Sequence, residues 1–335
     1  MEQNQEGQIW SIQGIWNESA GQMRREPKAR DYISFSDLGK KDFYSRYQKM
    51  MGVPESNPTE LRVLRVFAAG DEFHHLLKTV FKKTGLFIKS QDDKDASGNN
   101  QWSIIEPMDK MLKVLGKYDV LAGGVPNLER AKKAITESDL SDFVKDRSIK
   151  IAEYFAEKYA QGLKHMIYEF KSINSMAFWN KKDYLTDAYP HHLLQLYGYL
   201  KANQMEEGRI LYISKDDLMM AEFPLYYPNE KLEKLLNEDI EQMSHYILNK
   251  IEPPKPEDVV FDEAKKLTFQ RDKKKIVING CYVENWEVAR SPYFTKMTGF
   301  KTVDDWQESI KGRIANLNGK LKEDYDKNGA QVPNL

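Results

Sequence analysis

The stretch KHMIYEFKS at 164–172 is where residue types and spacing first suggest chemistry. In a strand, alternate side chains face opposite ways. Met166, Tyr168 and Phe170 then form an apolar face, while Glu169 and Lys171 project together from the other. A carboxylate and an ammonium two residues apart suit one site: the carboxylate binds a metal, and the lysine orients or deprotonates a water. An isolated E-x-K also describes a surface Glu/Lys pair on an edge strand. Upstream, LGKYDVLAGG sets Asp119 inside an otherwise apolar strand. An ionised carboxylate is rarely buried without a partner, because desolvation is costly. A metal shared with Glu169 through hard oxygen ligands would be that partner. The other reading is an Asp on the strand's wet face or in a turn.

Two helices carry the remaining candidates. Gly70 and His74 lie four apart in LRVLRVFAAGDEFHHLLKTVFKKTG at 61–85 and share a face. A glycine inside a helix costs about 1 kcal/mol relative to alanine, which suggests that something approaches the backbone there. An imidazole one turn later would suit Mn²⁺ or another transition metal better than Mg²⁺. A helix histidine packed against its neighbours, like His75 beside it, is the plainer reading. In YPHHLLQLYGYLKANQ at 189–204, Gln195 and Tyr199 are i,i+4 neighbours, with His191 and His192 a turn earlier. The amide would orient the lysine or a water and the phenol would hydrogen-bond a phosphate, or both simply flank an amphipathic helix.

The elements that must position these side chains read as an α/β architecture, a mixed central β-sheet flanked by helices. Helical spacing marks 61–85, 189–204 with Pro190 in its first turn, and 230–250. WSIIE at 102–106, KVLGKYDVLAG at 113–123, 164–172 and RILYIS at 209–214 read as strands. Between two of those strands, 128–162 reads as one or two helices. Residues 1–30 form a polar lead segment ending in Arg24, Arg25, Lys28 and Arg30, and SQDDKDASGNNQ at 90–101 reads as an exposed loop. The three prolines of EPPKPED at 252–258 cannot sit in a helix interior. They separate a main domain, 31–251, from a C-terminal extension, 252–335, whose last part, 324–335, reads as a loose tail. No internal repeat is visible.

Composition narrows the function classes. With 41% apolar, 30% charged and 12% aromatic residues in a chain of 335, a packed core is expected and wholesale disorder is excluded. The 50 Lys+Arg nearly cancel the 51 Asp+Glu, so a nucleic-acid partner would need a local basic surface. Candidate clusters are Arg24 to Arg30, Lys82–Lys83, Lys181–Lys182 and Lys273 to Lys275. Lys181 and Lys182 come a short way after the E-x-K strand, beside Phe178 and Trp179, which would either stack on an unpaired base or pack in the core. Cys281 is the only cysteine, which excludes a disulfide framework, a multi-cysteine zinc site and a four-cysteine iron–sulfur cluster within one chain. No apolar run approaches the ~18 residues of a membrane span, and MEQNQEGQIW lacks the pattern of a secretory signal. The expectation is a protein of a reducing cytoplasm, with no membrane partner.

The order G-x-x-x-H (Gly70 to His74), G-x-x-D (Gly116 to Asp119), E-x-K (Glu169 to Lys171) and Q-x-x-x-Y (Gln195 to Tyr199) resembles the PD-(D/E)xK nuclease superfamily. It is most similar to the RecB-like branch of exonucleases. DYISFSDLGKKDFYSRYQKMMGV at 31–53 is similar to the opening strand and helix of that branch, and GRILYISKDD at 208–217 to the strand after its Q-x-x-x-Y helix. The resemblance spans about 31–250 and implies a restriction-endonuclease-like nuclease core. It implies a DNA nuclease dependent on Mg²⁺ or Mn²⁺ that hydrolyses phosphodiester bonds from an end, in recombination, repair or phage replication, in a bacterial or phage-infected cell. Carried over by position, Asp119, Glu169 and the backbone carbonyl of Phe170 would hold one or two divalent ions, with His74 as a further ligand. Lys171 would activate the attacking water and steady the charge at phosphorus, and Gln195 and Tyr199 would complete the site. An endonuclease or flap-processing enzyme of the same fold is one alternative, and a catalytically silent DNA-binding or scaffold module is another.

Two departures from the family pattern stand out. Its Asp and Glu strands are usually joined by a short hairpin, whereas here a helical insertion at about 128–162 separates Asp119 from Glu169. Several RecB-like members also hold an iron–sulfur cluster on four cysteines. This chain offers only Cys281, so no cluster is expected, and the surroundings of that thiol, Trp286, Tyr293 and Phe294, would be packing in its place. No Walker-type phosphate loop is present, so a helicase or a single-strand annealing or binding protein would be a separate partner.

Overall fold

The computed structural model of the chain describes residues 11–22, 26–94, 97–107, 110–180, 183–271 and 274–328. The chain divides into two units, one of Met1–Lys41 with Glu60–Ile251, the other of Asp42–Thr59 with Glu252–Leu335.

Period-two apolar patterning in the first unit builds a five-stranded sheet. A long helix, α1 (Leu61–Lys83), leads into β1 (Phe87–Lys89), followed by β2 (Val120–Gly124) and β3 (Leu163–Ile173). Helix α2 (Pro190–Asn203) then precedes β4 (Glu207–Ser214) and β5 (Met220–Tyr226). The spatial order is β5-β4-β3-β2-β1. Only β3 and β4 run parallel; the other neighbours are antiparallel. Parallel neighbours cannot be joined by a tight hairpin, and α2 is the crossover between them. Its Pro190 occupies the first turn, where the fixed φ and missing N–H are tolerated.

Both faces of the central strands are covered. On one, Phe170 of β3, Val120 and Ala122 of β2, and Leu211 and Ile213 of β4 pack with Leu77, Phe73 and Phe81 of α1. The opposite parity, Ile167 and Glu169 of β3 with Ile210 and Tyr212 of β4, is buried as well. Gly208 of β4 sits against α2, since a Cβ there would lie 2.9 Å from Leu200 and 3.0 Å from Leu196. Glu169 is therefore not on a wet edge strand but beneath a helix. A second, three-stranded sheet of the same unit orders Tyr32–Ser34, Lys113–Gly116 and Ser103–Ile105. The architecture is mixed α/β, with mixed sheets flanked by helices.

Several expectations are revised. The segment 113–123 is not one strand: Lys113–Gly116 belongs to the three-stranded sheet and Val120–Gly124 to the five-stranded one. Asp119 lies at the bend between them rather than inside a strand. Apolar alternation runs through both halves, so the break leaves no mark in the pattern. The 128–162 insertion, by contrast, is helical as expected, formed of two helices, Leu128–Thr136 and Asp142–Lys158, closed on each other through Ala131, Ile135 and Ala152. The polar lead segment contains a helix, Ile12–Gln22. In the 90–101 stretch, read as exposed, Ser90 and Gln91 are buried.

The second unit is built on a β-ribbon, Val259–Arg271 paired antiparallel with Lys274–Glu284. Its core combines Tyr44, Val259, Val288, Tyr293, Phe294, Met297, Trp306 and Ile310. Tyr44 comes from the helix Phe43–Met50, capped where the Asp42 carboxylate accepts the Ser45 N–H at 2.9 Å. The segment 42–59 thus belongs with the C-terminal region and not with the 31–251 domain. A helix, Val303–Asn328, continues through the first part of the stretch read as a tail. Cys281 is buried, and burial pushes its thiol pKa up. Tyr293 and Phe294 are core residues, whereas Trp286 is exposed. Among the described residues no helix is long and apolar enough to cross a membrane.

Candidate active site

Four separate elements of the first unit bring the candidate side chains together. Strand β3 supplies Glu169 and Lys171, the bend before β2 supplies Asp119, α1 supplies His74, and α2 supplies Gln195 and Tyr199. Strand alternation aims Glu169 and Lys171 the same way, and Lys171 Nζ donates to Glu169 Oε1 at 2.8 Å. Gln195 spans this pair: its Nε2 donates to Glu169 Oε1 at 2.7 Å and its Oε1 accepts from Lys171 Nζ at 3.0 Å. Tyr199, one turn further along α2, donates its hydroxyl proton to the Lys117 carbonyl at 2.8 Å. Its oxygen lies 3.4 Å from Gln195 Nε2.

Asp119 is held from two sides. Its Oδ2 accepts the Phe170 N–H at 2.7 Å and its Oδ1 accepts from His74 Nδ1 at 3.0 Å. A backbone donor next to Glu169 therefore fixes one carboxylate while Gln195 and Lys171 fix the other. Asp119 and Glu169 are only 8% and 3% exposed, so water does little to screen their charges from each other. Burial and the neighbouring Asp119 charge push the Glu169 carboxyl up to about 7, in spite of Lys171. Burial also works against ionised Asp119, but the His74 ring, the Phe170 N–H and Lys171 outweigh it and hold its pKa below the usual value. Burial alone would lower the His74 pKa; the Asp119 hydrogen bond and charge reverse that and raise it. The Tyr199 phenol is pushed well above its ordinary pKa by burial and the Glu169 charge, so it acts as a neutral hydroxyl.

Glu169 Oε2 is buried with no hydrogen-bond partner. An unpaired carboxylate oxygen in such a place is expensive, and it is the atom most in need of a ligand. Among the described residues no three His, Cys, Asp or Glu side chains are arranged to enclose a cation. What the site offers is a pair of buried carboxylates, with His74 bonded to one of them.

Both glycines of the motifs have packing roles. A Cβ at Gly70 would meet Ser172 Oγ of β3 at 3.0 Å, so what approaches the helix there is the sheet and not a ligand. A Cβ at Gly116 would lie 2.6 Å from the Phe35 ring and 3.0 Å from the Tyr199 hydroxyl. Gly116 thus makes room for Phe35 and Tyr199, whose ring centroids lie 4.6 Å apart with the planes tilted by 40°.

Sequence reasoning missed Gln91. Its Oε1 accepts the Tyr118 N–H at 3.0 Å and the Ser103 hydroxyl at 2.9 Å, pinning the chain one residue before Asp119. A glutamine in a polar run carries no sequence signal for that role. His192, noted only as a neighbour, pairs through Nδ1 with the Tyr212 hydroxyl at 2.7 Å. Phe178 is fully buried, as core packing requires. Lys181, Lys182, Arg24, Arg25 and Lys273 lie outside the described residues, and nothing is described of the Trp179 side chain.

No family model and no curated protein matches the chain. A solved structure, "Crystal structure of SSO0001", is similar at 18% identity over 70% of this chain and 87% of its own, with a TM-score of 0.38. A likeness at that level supports no inference about function.

Proposed function

We propose that the chain is a metal-dependent DNA nuclease of the PD-(D/E)xK type, RecB-like, hydrolysing phosphodiester bonds from DNA ends. One observation carries the reading: Asp119, Glu169, Lys171 and Gln195 occupy one buried cluster, and Glu169 Oε2 in it has no partner. A surface Glu/Lys pair would be hydrated, and a binding module has no use for two buried carboxylates that repel each other.

The donor set fits a hard divalent cation. Asp119 and Glu169 are oxygen ligands of the kind Mg²⁺ and Mn²⁺ prefer, and the unpartnered Oε2 is where a cation would relieve the desolvated charge. The carbonyl of Phe170, the residue directly after Glu169 whose N–H holds Asp119, would be the neutral ligand. His74, which spends Nδ1 on Asp119, keeps Nε2 as its remaining donor atom. A bound divalent ion supplies charge neutralisation at the phosphate and lowers the pKa of a coordinated water.

The protein's own groups do the rest. Lys171 is fixed between Glu169 and Gln195, so its ammonium is held in place rather than swinging in solvent. From there it can hydrogen-bond an attacking water and offset the negative charge that grows on the phosphoryl oxygens. The Gln195 amide keeps both partners in register, and Tyr199 anchors α2 to the Lys117 carbonyl beside Asp119.

The test is degradation of end-labelled linear DNA against closed circular DNA, with Mg²⁺, with Mn²⁺ and with chelator, beside Lys171→Ala. Metal-dependent loss of the linear substrate alone, abolished in the variant, is the expected result. Cutting of circles would make the enzyme an endonuclease of the same class. No cleavage of any DNA would overturn the catalytic reading.

A further inference from the structure

The ribbon of the second unit has two unlike faces. The pairs Thr268↔Val277, Phe269↔Ile276 and Gln270↔Lys275 set the register. Alternation then puts Leu267, Phe269, Ile276 and Ile278 on one side and Lys266, Thr268, Gln270, Lys275, Val277 and Asn279 on the other. The first side is occupied. Helix Val303–Asn328 packs on the ribbon, with Lys322 Nζ 5.4 Å from the centre of the Phe269 ring. Asn318 also exchanges hydrogen bonds with the Tyr282 backbone at 2.8 and 2.9 Å.

All six residues of the second side are exposed. None is acidic, and only Val277 is apolar. Over the whole ribbon, 259–284, the basic Lys265, Lys266, Arg271, Lys273, Lys274 and Lys275 outnumber the acidic Asp262, Glu263, Asp272 and Glu284, in a chain whose net charge is −1. Among the described residues, Lys266 and Lys275 have no carboxylate partner. An exposed face that carries lysines and no carboxylate is suited to meet a polyanion. Lys275 faces Gln270, and Lys266 lies four residues from Gln270 along its strand. That separation is about 13 Å at the usual rise per strand residue, close to the ~12 Å width of the major groove of duplex DNA, which admits a two-stranded ribbon.

We propose that the exposed face of this ribbon is a duplex-DNA-binding surface. Lys266 and Lys275 neutralise backbone phosphates, and Thr268, Gln270 and Asn279 present hydrogen-bonding side chains between them. The proposal deepens the nuclease reading and rests on it for the choice of DNA as the polyanion. The surface itself does not depend on catalysis.

The test measures binding of the full-length chain to a labelled DNA duplex in chelator, by fluorescence anisotropy over a range of salt concentrations. Lys266→Glu combined with Lys275→Glu is expected to weaken binding by at least about tenfold. The slope of log K against log salt should become shallower by about 1.8, the loss of two phosphate contacts. Lys266→Gln combined with Lys275→Gln should fall between wild type and the reversal. Both positions are exposed, and unchanged circular dichroism and thermal melts will show that the variants fold. Unchanged affinity and slope in folded variants would overturn the proposal. So would a loss of binding seen only with duplex RNA or only with phosphatidylserine vesicles. Because the assay needs no cleavage, ribbon-dependent binding by a chain that cuts no DNA would overturn the catalytic reading and leave the surface standing.

Discussion

Gln195 and Lys171 converge on the same oxygen of Glu169: Gln195 Nε2 reaches Oε1 at 2.7 Å and Lys171 Nζ reaches it at 2.8 Å. Glu169 Oε1 is thereby doubly satisfied, while the buried Oε2 has no hydrogen-bond partner. This division of labour between two oxygens of one carboxylate organises the site. It also makes Gln195 a positioning residue, one that acts by holding Lys171 and Glu169.

Gln195→Ala is therefore expected to lower the metal-dependent cleavage rate by roughly 10- to 100-fold, the usual effect of removing a group that orients a metal ligand. Affinity for DNA measured in chelator should not change, because the amide is buried and inside the cluster. Single-turnover rates and chelator binding, measured side by side, separate the two effects. A rate within about twofold of wild type would show that Lys171 and Glu169 hold their places without the amide.

Metal binding can be read without any substrate. If Glu169 Oε2 and Asp119 receive a divalent ion in the folded state only, Mg²⁺ or Mn²⁺ must raise the melting temperature. At a hundredfold excess over Kd the gain is about 2.7 kcal/mol, several degrees for a unit of this size. Glu169→Gln removes one of the two repelling buried charges. In chelator it should melt no lower than wild type, and it should lose most of the metal-induced rise. Equal metal shifts in wild type and variant would place the cation elsewhere.

What the sequence made readable here was local. The E-x-K alternation, Pro190 opening a helix, and the i,i+4 pair Gln195/Tyr199 are fixed by backbone geometry, and each is found where its period placed it. What escaped was set by contacts between distant segments. The chain turns from one sheet to the other at Lys117–Asp119 because Gln91 grips Tyr118 and because Gly116 accommodates Phe35 and Tyr199. None of these partners is close to the turn in the sequence. For the same reason Asp42–Thr59 looks continuous with the strand before it, yet Tyr44 finds its core among Val288, Tyr293 and Trp306. A glycine at position 70 in a helix does mark a close approach, but the approaching group is Ser172 of the sheet, far away in sequence.

The last prediction concerns pH and a histidine beside the site. His192 shares Nδ1 with the Tyr212 hydroxyl. Burial, followed by the positive charges of Lys171, His191 and Lys40, pushes its pKa down to about 2. In the unfolded chain the same ring titrates near 6.5. Above that pH it is neutral in both states and contributes no slope. As pH falls below about 6.5 the unfolded state takes up a proton that the folded state refuses, so stability drops with falling pH from there towards the folded pKa. His191, whose pKa is also lowered, by burial and then by Lys40 and Lys171, acts in the same direction. His192→Gln keeps a polar partner for Tyr212 and removes one titrating ring. Urea unfolding of wild type and variant at pH 7.5 and pH 5 should therefore show the wild type losing more stability over that interval. The difference should be on the order of 1 kcal/mol. Parallel losses in the two proteins would mean that His192 is protonated in the folded chain and that the Tyr212 pairing does not hold it neutral.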